Sequence, residues 1–307
     1  MSPDDRSRPI LLVVGGCGGL VGRAILKEFS TDHEIRSVHR HAVAAEGHLG
    51  VRWLATDVAR VTDWAPVLEG VRTVLTLAWY RQGSARRFRR LATGLVRLIE
   101  TADRLDVPRF AHVSVPDAPE RLERELPYLA FKRVVDRALE SSRLNYAIVR
   151  PTMLFADHDR LLTVMLRTMA RYRRFPMFGD GGYHVSPLSA RDLARIVRRE
   201  AERGARSNVT VGGPDRWVYR SLTDRMFEAL GLAPRYVAFS PANSVRLARF
   251  LETLGSSLLY EYEVEWLLSD RLGVPAYVGL DRSLEPVGPF LEEQAARLRR
   301  RVRAPGR

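Results

Sequence analysis

The sequence predicts an α/β fold, in which a doubly wound parallel sheet is followed by a small, mainly helical C-terminal lobe. Up to Pro151, short apolar segments alternate with segments of helical periodicity, as in a parallel sheet covered by helices on both faces. After Pro151 this alternation weakens and helical segments predominate. Right-handed crossovers would bring the carboxyl ends of the strands to one edge, where such sheets bind ligands.

The elements of the first half follow one another regularly. Six strands are predicted, at 9–15, 33–40, 51–57, 71–78, 109–115 and 145–151. The main helices are predicted at 20–30, 85–105 and 127–142. An apolar face with helical spacing runs along the second of these helices and comprises Phe88, Leu91, Leu95, Leu98, Ala102 and Leu105.

The second half is less regular. We expect a turn-rich segment at 175–184, a strand at 208–213, and helices at 189–204, 221–231, within 241–272 and from about 290. The pattern predicts a sheet domain at 1–155 and a lobe at 156–307 that covers the ligand edge, the two being intertwined near their boundary.

The composition is typical of a soluble globular protein, with 46% hydrophobic and 28% charged residues in 307. No apolar run approaches the roughly 18 residues of a membrane span, and the polar start "MSPDDRSRP" predicts no signal peptide. Cys17 is the single cysteine, so no internal disulfide can form. These features predict a cytoplasmic protein.

The net charge of +13 raises the question of a polyanionic partner. Much of the excess lies in "ARRFRR" (85–90) and in "RLRRRVRAPGR" (297–307). We interpret both as solvated faces or ends of helices, where arginine suits the negative end of the helix dipole. A patch for nucleic acid or an anionic membrane is the alternative. No zinc-finger spacing or RNP motif supports it, so no nucleic acid is expected.

A glycine-rich turn joins the first strand to the first helix. Gly16, Gly19 and Gly22 are spaced by three residues. Gly15 precedes this triad, and Gly18 lies within it. Such glycines allow a tight turn, a close approach of a pyrophosphate to the backbone, and close packing of helix on strand. The alternative is a glycine-rich turn without a ligand. The expected phosphate contacts are Gly16, Gly18, Gly19, Leu20, Val21, Gly22 and Arg23.

The end of the second strand indicates which dinucleotide is bound. The strand ends in "SVHRH". In folds that bind a dinucleotide, an acidic residue is often found at this position, where it binds the ribose hydroxyls. Arg40, helped by Arg23 or His39, would pair with a 2′-phosphate, which favours NADP over NAD. Arg40 as a plain surface charge is the alternative. Asp57, with Val58 beside it, is predicted to contact adenine or to cap the following turn.

A tyrosine and a lysine four residues apart suggest redox chemistry. Tyr128 and Lys132 in "PYLAFK" project from one helix face. A buried lysine ammonium near a phenol favours the phenolate, and such a tyrosine can exchange a proton with a carbonyl or an alcohol. Ser114 ends the preceding strand, and its hydroxyl would stabilise the developing oxyanion.

The order of these motifs resembles the short-chain dehydrogenase/reductase superfamily in its extended or atypical, NmrA-like branch. The resemblance covers nearly the whole chain. The matching segments are "VVGGCGGLVGR", "ATD", "LTLA", "VPRFAHVSV", "YLAFK", "NYAIVRPTMLF", "FGDGGYHVSPLSARDLARIV" and "VTVGGPDRWVYRSLTDRMFEALG". The resemblance implies a Rossmann-type NAD(P)-binding domain and a C-terminal lobe that shapes the substrate site.

The resemblance also implies roles for individual residues. The glycine triad would hold the pyrophosphate, Arg40 would lie at the 2′-phosphate, and Asp57 would lie near adenine. Leu77 and Ala78 would border the adenosine ribose, and Pro151 the nicotinamide. Lys132 would also hold the nicotinamide ribose. The implied catalytic residues are Ser114, Tyr128 and Lys132.

Two positions differ from the pattern of many family members. Leu91 stands where an asparagine often supports a proton relay, and Val115 follows Ser114 where a second small hydroxyl residue is common. The branch also includes redox sensors and assembly factors that bind the cofactor without turnover. The tyrosine–lysine pair argues for an enzyme here.

Several aromatic and histidine residues are candidates for substrate contacts. Trp79, Tyr80, Met153 and Phe155 would form an apolar wall for a bulky substrate, with core packing as the alternative. His184 would reach the substrate or end a turn. Residues 157–159 ("DHD") are equally compatible with a substrate contact and a polar turn. The histidines at 33, 39, 41 and 48 lack helical ligand spacing, so no metal is expected.

Together these patterns predict an NADP-dependent oxidoreductase that moves hydride between nicotinamide and a carbonyl or alcohol carbon of a small molecule. One alternative is an epimerase or dehydratase that reuses the hydride. The other is a non-catalytic sensor or assembly protein that binds NAD(P)(H). The chain is expected to act as a monomer or a homodimer.

Overall fold

A computed structural model of the chain describes residues 8–40, 50–157, 159, 161–253 and 260–303. The strands are β1 Ile10–Val14, β2 Glu34–His39, β3 Arg52–Ala55, β4 Val71–Thr76, β5 Arg109–Val113, β6 Tyr146–Pro151, β7 Leu154–Phe155, β8 Phe175–Phe178, β9 His184–Val185, β10 Leu188–Ser189, β11 Ser207–Val211, β12 Trp217–Val218 and β13 Tyr236–Phe239. The helices are α1 Leu20–Phe29, α2 Ala65–Leu68, α3 Ala85–Arg104, α4 Glu120–Glu125, α5 Pro127–Glu140, α6 Leu161–Tyr172, α7 Ala190–Glu202, α8 Tyr219–Leu230, α9 Pro241–Thr253, α10 Glu261–Leu268 and α11 Val287–Arg303.

The central sheet has seven parallel strands in the order β11-β6-β5-β4-β1-β2-β3. The chain therefore winds outward from β1 in one direction through β2 and β3, and in the other through β4, β5 and β6. The direction of winding reverses between β1 and β4, and an open α/β sheet binds its ligands in the crevice at such a point. The predicted doubly wound sheet is confirmed.

Helices cover both faces of this sheet. On one face, α3 and α5 pack together against a core that includes Leu12 and Val14 of β1. Because side chains alternate along a strand, the buried Leu11 and Val13 point to the opposite face. There α1 packs against α7, which also contacts β5 and β6. The continuous burial of β1 from Leu11 to Val14 is what a sheet covered on both faces requires.

The apolar face predicted for 85–105 is largely confirmed in α3. Its residues Phe88, Leu91, Leu95, Leu98 and Ala102 are buried. Leu105, by contrast, is 47% exposed, because the helix ends at Arg104 and Leu105 is its C-cap residue.

The chain divides into two compact units. The first comprises Met1–Val115, Glu123–Pro151 and Ala190–Thr210, and contains nearly all of the central sheet. The second comprises Pro116–Leu122, Thr152–Ser189 and Val211–Arg307 and has its own apolar core. In the second unit α11 packs against α6 and α8, and α9 packs against α10.

The elements of the second unit that were not predicted include α6, β8 and β13. Helix α6 lies in a segment that had no assignment, and β8 lies within the segment expected to be turn-rich. Strand β8 pairs in parallel with β13, which was not predicted either. A four-residue strand that contains Pro176 carries little pattern of its own, so its partner strand decides its conformation.

No helix in the described part of the chain is long and apolar enough to cross a bilayer.

Candidate functional site

The glycine turn between β1 and α1 has the conformation that its composition requires. Gly15 and Gly16 have φ values of +75° and +72°, which residues other than glycine rarely adopt. The Gly19 amide donates to the Gly16 carbonyl at 2.8 Å, and this bond closes the turn. Gly19 is then the N-cap of α1.

Close contacts explain why side chains are missing from most of this turn. A Cβ atom on Gly22 would overlap the Gly16 carbonyl, so α1 can approach the turn only with glycine there. Cβ atoms on Gly15 and Gly16 would lie 2.5 and 2.7 Å from the Cβ atoms of Ala78 and Leu77. Leu77 and Ala78, predicted to border a ribose, thus pack directly against the turn.

Gly18 differs from the other glycines of the turn. A Cβ atom added to Gly18 would meet no atom within 4 Å in the described part of the chain. The helix start beside it has no side-chain cap, since its N-cap residue Gly19 has none to offer. The first amides of α1 are therefore available to an anion. An open glycine beside uncapped amides fits the pyrophosphate of a dinucleotide.

Cys17 is part of the protein interior rather than of the ligand surface. Its side chain is 2% exposed, and its Sγ atom lies 2.8 Å from Ser37 Oγ of β2 and 3.4 Å from the Gly15 carbonyl. Burial raises the pKa of the thiol, which the hydrogen bond to Ser37 opposes. These contacts make Cys17 a packing residue.

A cleft of about 640 Å³ lies where β2, β3 and β4 end and α3 begins. Arg40 follows β2, Asp57 follows β3, and Tyr80 follows β4. The arginines of "ARRFRR", predicted to be a solvated face, in part line this cleft. Its lining residues are Arg40, Asp57, Ala59, Arg60, Tyr80, Ser84, Arg86, Arg87 and Arg90.

Asp57 caps the turn that follows β3, which is one of its two predicted roles. Its Oδ1 accepts a hydrogen bond from the Ala59 amide at 3.0 Å, and its Oδ2 lies 3.8 Å from Arg60 Nε. Val58 is buried, and its carbonyl lies against Gly94 of α3 so closely that a Cβ atom on Gly94 would overlap it. Gly94 was missed in the sequence, because a lone glycine inside a helix carries no signal of its own.

The structure separates Trp79 from Tyr80, which the sequence analysis had assigned to one apolar wall. Tyr80 lies beneath two arginines, with the guanidinium carbons of Arg87 and Arg40 at 3.9 and 5.2 Å from its ring centroid. The ring of Trp79 instead makes an edge contact with Tyr128 at 6.1 Å, and Lys132 Nζ lies 4.6 Å from its centroid. Tyr80 therefore belongs to the arginine cleft, and Trp79 to the tyrosine–lysine pair.

Tyr128 and Lys132 lie one turn apart on α5. Lys132 is 2% exposed, and its Nζ donates to the Val113 carbonyl at the end of β5, at 2.8 Å. Burial lowers the pKa of this ammonium to about 7; Asp136 opposes the shift, and Arg133 and Arg150 add to it. Tyr128 also makes an edge contact with Phe88 of α3 at 5.8 Å.

The indole nitrogen of Trp79, like those of Trp217 and Trp266, is a buried donor. No acceptor lies within hydrogen-bond distance of it in the described part of the chain. A buried donor without an acceptor is costly, and a bound polar group would relieve that cost.

Ser114 is not available for the role predicted for it. Its Oγ lies 2.7 and 2.9 Å from the two carboxylate oxygens of Asp136, and a hydroxyl has one proton to donate. That proton is directed into the interior of the first unit, so in this arrangement Ser114 does not offer it to a substrate carbonyl. Ser114 connects the end of β5 to α5.

Asp136 is the centre of a buried charge network that the sequence analysis missed. Its Oδ2 accepts from Arg133 Nη1 at 2.7 Å and from Arg150 Nη2 at 3.0 Å, and His112 Nε2 lies 3.4 Å from its Oδ1. Burial alone would raise the pKa of Asp136, but His112, Arg150 and Ser114 lower it well below its usual range. The spacing of four from Lys132 was the available signal, since it places Asp136 on the same helix face.

The remaining candidates lie at the end of β6 and in the second unit. Pro151 is the last residue of β6 and is buried. Met153 and Phe155 are buried in the core of the second unit, with the Phe155 ring 5.1 Å from that of Phe290. Their packing supports the alternative interpretation as core residues.

His184 forms a pair with Asp270 in the second unit. Its backbone amide and its Nδ1 lie 2.6 and 3.2 Å from the same carboxylate oxygen of Asp270. The His184 side chain is 30% exposed, so the pair is accessible while ending the turn before β9.

No group of three or more metal-ligating side chains occurs among the residues that the structure describes. His33 is paired with Asp32 at 2.8 Å. His41 and His48, together with residue 158 of the "DHD" segment, lie outside the described residues.

Comparison with known proteins gives consistent matches. The sequence profile of the NAD(P)H-binding family matches residues 16–172. The UPF0659 protein YMR090W of Saccharomyces cerevisiae is 26% identical, over 48% of this chain and 70% of the yeast protein.

Solved structures with the same fold extend the match to most of the chain. A nucleoside-diphosphate-sugar epimerase of Staphylococcus aureus superimposes with a TM-score of 0.72 at 15% identity, covering 92% of this chain and 99% of the other. A UDP-N-acetylglucosamine 4-epimerase of Bacillus cereus gives a TM-score of 0.65 at 15% identity, covering 95% and 96%. At these identities the similarity concerns the fold.

Proposed function

The chain belongs to the NAD(P)H-binding family, and from this premise we propose that it is an NADP-dependent oxidoreductase acting on a carbonyl or alcohol carbon of a small molecule. The observation that carries the proposal is the buried Lys132 one turn from Tyr128, on the sheet edge that also bears the glycine turn. When bound, the cofactor supplies or accepts the hydride.

The glycine turn binds the diphosphate in this proposal. Gly15 and Gly16 bring the backbone around without side chains, and the uncapped amides of α1 donate to phosphate oxygens. Gly18 leaves the approach open. Leu77 and Ala78 form the neighbouring wall, since they pack on Gly16 and Gly15.

Tyr128 exchanges the proton that accompanies hydride transfer. During reduction its phenol donates a proton to the carbonyl oxygen, and during oxidation its phenolate removes a proton from the alcohol. Lys132 favours the phenolate through its positive charge. The Val113 carbonyl holds the ammonium, and the face of Trp79 covers it.

Ser114 acts as a positioning residue. Its bond to Asp136 ties the end of β5 to α5, the helix that carries Tyr128 and Lys132. The buried network around Asp136 thereby keeps that helix in place against the sheet. Stabilisation of the developing oxyanion then falls to Tyr128 itself, with no contribution from the Ser114 proton.

A hydride-reusing epimerase is a second candidate, because the similar solved structures described above are epimerases of sugar nucleotides. Such an enzyme oxidises and then re-reduces one substrate carbon, so the complete reaction consumes no reductant. A third candidate is a cofactor-responsive binding protein without turnover. The diversion of the Ser114 proton to Asp136 favours it over a dehydrogenase with the family's full set of catalytic groups.

The test combines cofactor binding with turnover. NADPH is titrated by calorimetry into the wild type and into Tyr128→Phe, and both are assayed with a panel of aldehydes, ketones and sugar nucleotides. We expect equal binding, with turnover of a carbonyl substrate lost by a factor of about 10²–10⁴ in the variant. Tight binding with no turnover of any compound by the wild type would reject the oxidoreductase in favour of the binding protein.

A further inference from the structure

The cleft at the ends of β2, β3 and β4 contains guanidinium groups that have no carboxylate partner among the described residues. Arg40, Arg86, Arg87 and Arg90 are exposed and line one cleft, and none of them forms an ion pair with a residue that the structure describes. In a protein with 49 basic and 36 acidic residues, unpaired arginines are common. Four that converge on one cleft are not explained by composition.

The charge balance of the cleft favours an anionic ligand. Among the described residues that line the cleft, Asp57 is the single acidic one, and its carboxylate already lies 3.8 Å from Arg60. The other four guanidinium groups therefore repel one another in the unliganded protein. A bound dianion would remove this repulsion and accept charge-assisted hydrogen bonds.

Arg87 is held in place to receive such an anion. Its guanidinium carbon lies 3.9 Å from the centroid of the Tyr80 ring, and a guanidinium stacked on an aromatic face keeps its N–H groups free at the edge. The side chain also passes close to Gly83, where an added Cβ atom would lie 3.0 Å from Arg87 Cδ. Gly83 thus leaves the space that Arg87 occupies.

The position of the cleft identifies the ligand end that reaches it. Tyr80 comes two residues after Ala78, which packs against Gly15 of the glycine turn. A dinucleotide whose diphosphate lies at that turn directs its adenosine half towards β2 and β3, the side on which Arg40 and Asp57 lie. A cleft of about 640 Å³ accommodates one small phosphorylated group rather than an extended polyanion.

We propose that this arginine cleft is a phosphomonoester site, in which Arg86, Arg87 and Arg90 of α3, with Tyr80 as the platform, act beside Arg40 to select a 2′-phosphorylated adenosine. The inference rests on the proposed function, since it concerns one end of the same cofactor. It assigns to α3 a specificity role that the sequence predicts for Arg40, helped by Arg23 or His39. It also moves Tyr80 from the substrate to the cofactor.

Binding of nucleotide fragments tests this without any need for turnover. Adenosine 2′,5′-bisphosphate and adenosine 5′-monophosphate, which differ only in the 2′-phosphate, are titrated by calorimetry into the wild-type protein. We expect the 2′-phosphate to tighten binding by about 10- to 100-fold, as charge-assisted hydrogen bonds to one phosphate provide. The advantage should shrink as KCl is raised, because the contacts are exposed to solvent.

Single variants then locate the selecting residues. Arg87→Ala and Arg90→Ala should each lower affinity for the 2′,5′-bisphosphate several-fold and leave that for the 5′-monophosphate unchanged. Arg87→Lys should lower affinity for the 2′,5′-bisphosphate less than Arg87→Ala does, because lysine keeps the positive charge but lacks the planar guanidinium that stacks on an aromatic ring. Arg89→Ala is the matched control: Arg89 lies on the same helix, 5.8 Å from the Phe131 ring centroid, and does not line the cleft.

The possible failures are distinguishable. Equal affinity of the wild type for the two fragments, or an effect of Arg89→Ala as large as that of Arg87→Ala, would overturn the inference alone. Absence of binding by NADH, NADPH and both fragments would overturn the proposed function with it. Because the substituted side chains are exposed, unchanged thermal unfolding of each variant is expected and excludes misfolding as the cause.

Discussion

Ser114 donates its hydroxyl proton to Asp136, and its Oγ lies within 2.9 Å of both carboxylate oxygens. The bond connects the end of β5 to the helix that carries Tyr128 and Lys132. A serine that the sequence places beside a catalytic pair thus contributes to the framework of the site.

Asp136→Asn should destabilise the protein strongly. Asp136 is 1% exposed, and its carboxylate is shared by Arg133 and Arg150. Removing one partner of a buried ion pair leaves uncompensated charge, so we expect a loss of about 3–5 kcal/mol in the free energy of unfolding. Urea denaturation at neutral pH measures it.

Glu140→Gln is the control for Asp136→Asn. Glu140 lies one turn further along α5 and 3.7 Å from the same Arg150, but its side chain is 37% exposed. We expect a loss below about 1 kcal/mol. Equal effects of the two substitutions would contradict the assignment of Asp136 as the centre of the network.

Ser114→Ala should affect stability more than cofactor binding. The substitution removes a buried hydrogen bond to a charged group, which contributes about 1.5–3 kcal/mol. NADPH affinity, measured by calorimetry, should stay within a factor of about two, since the lost free energy is not used in binding. A kcat that collapses without any loss of stability would show instead that Ser114 contacts the substrate.

Gly22→Ala should disrupt the glycine turn, whereas Gly18→Ala should be tolerated in folding. A Cβ atom on Gly22 would overlap the Gly16 carbonyl, while one on Gly18 would meet no described atom within 4 Å. We expect Gly22→Ala to cost about 1–3 kcal/mol of stability and to abolish NADH and NADPH binding alike. Thermal unfolding and calorimetry of both variants test this.

The outcome for Gly18→Ala carries separate information. Unchanged stability combined with weaker dinucleotide binding would place Gly18 at the ligand. If Gly18→Ala lowered the stability as much as Gly22→Ala does, this result would contradict the open space beside Gly18.

Lys132 should make stability rise with pH above neutrality. Its pKa is about 7 in the folded protein and 10.5 in the unfolded chain, so the unfolded state binds more protons between these values. The free energy of unfolding should therefore increase with pH in this window, by at most about 1.4 kcal/mol per pH unit from this group. Below pH 7 the pH dependence from this group disappears, because both states are protonated, and the cost of burying the ammonium is then at its maximum.

Lys132→Met isolates the effect of that ammonium. The variant should be more stable than the wild type at pH 7, and the difference should shrink towards pH 10, because the wild type there buries an uncharged amine. Urea denaturation at several pH values gives both curves. Parallel curves would contradict the assigned shift.

The sequence by itself determined the sheet and the position of the dinucleotide turn. Alternating segments and the glycines at 16, 19 and 22 depend on local geometry, and local geometry is written in neighbouring residues. The elements of the first half consequently lie within a few residues of their predicted bounds. The pair Tyr128–Lys132 was identifiable for the same reason, because both lie on one helix.

Only the tertiary structure decided which partners the polar side chains have. Ser114 turns to Asp136, Tyr80 lies under Arg87 rather than beside Trp79, and β8 forms because β13 pairs with it. Each of these contacts joins different elements of the chain, and residue type and spacing carry no information about which elements the fold brings together. Packing of the elements chooses among partners that the sequence leaves equivalent, because a buried polar group pairs with whatever donor or acceptor the fold brings within reach.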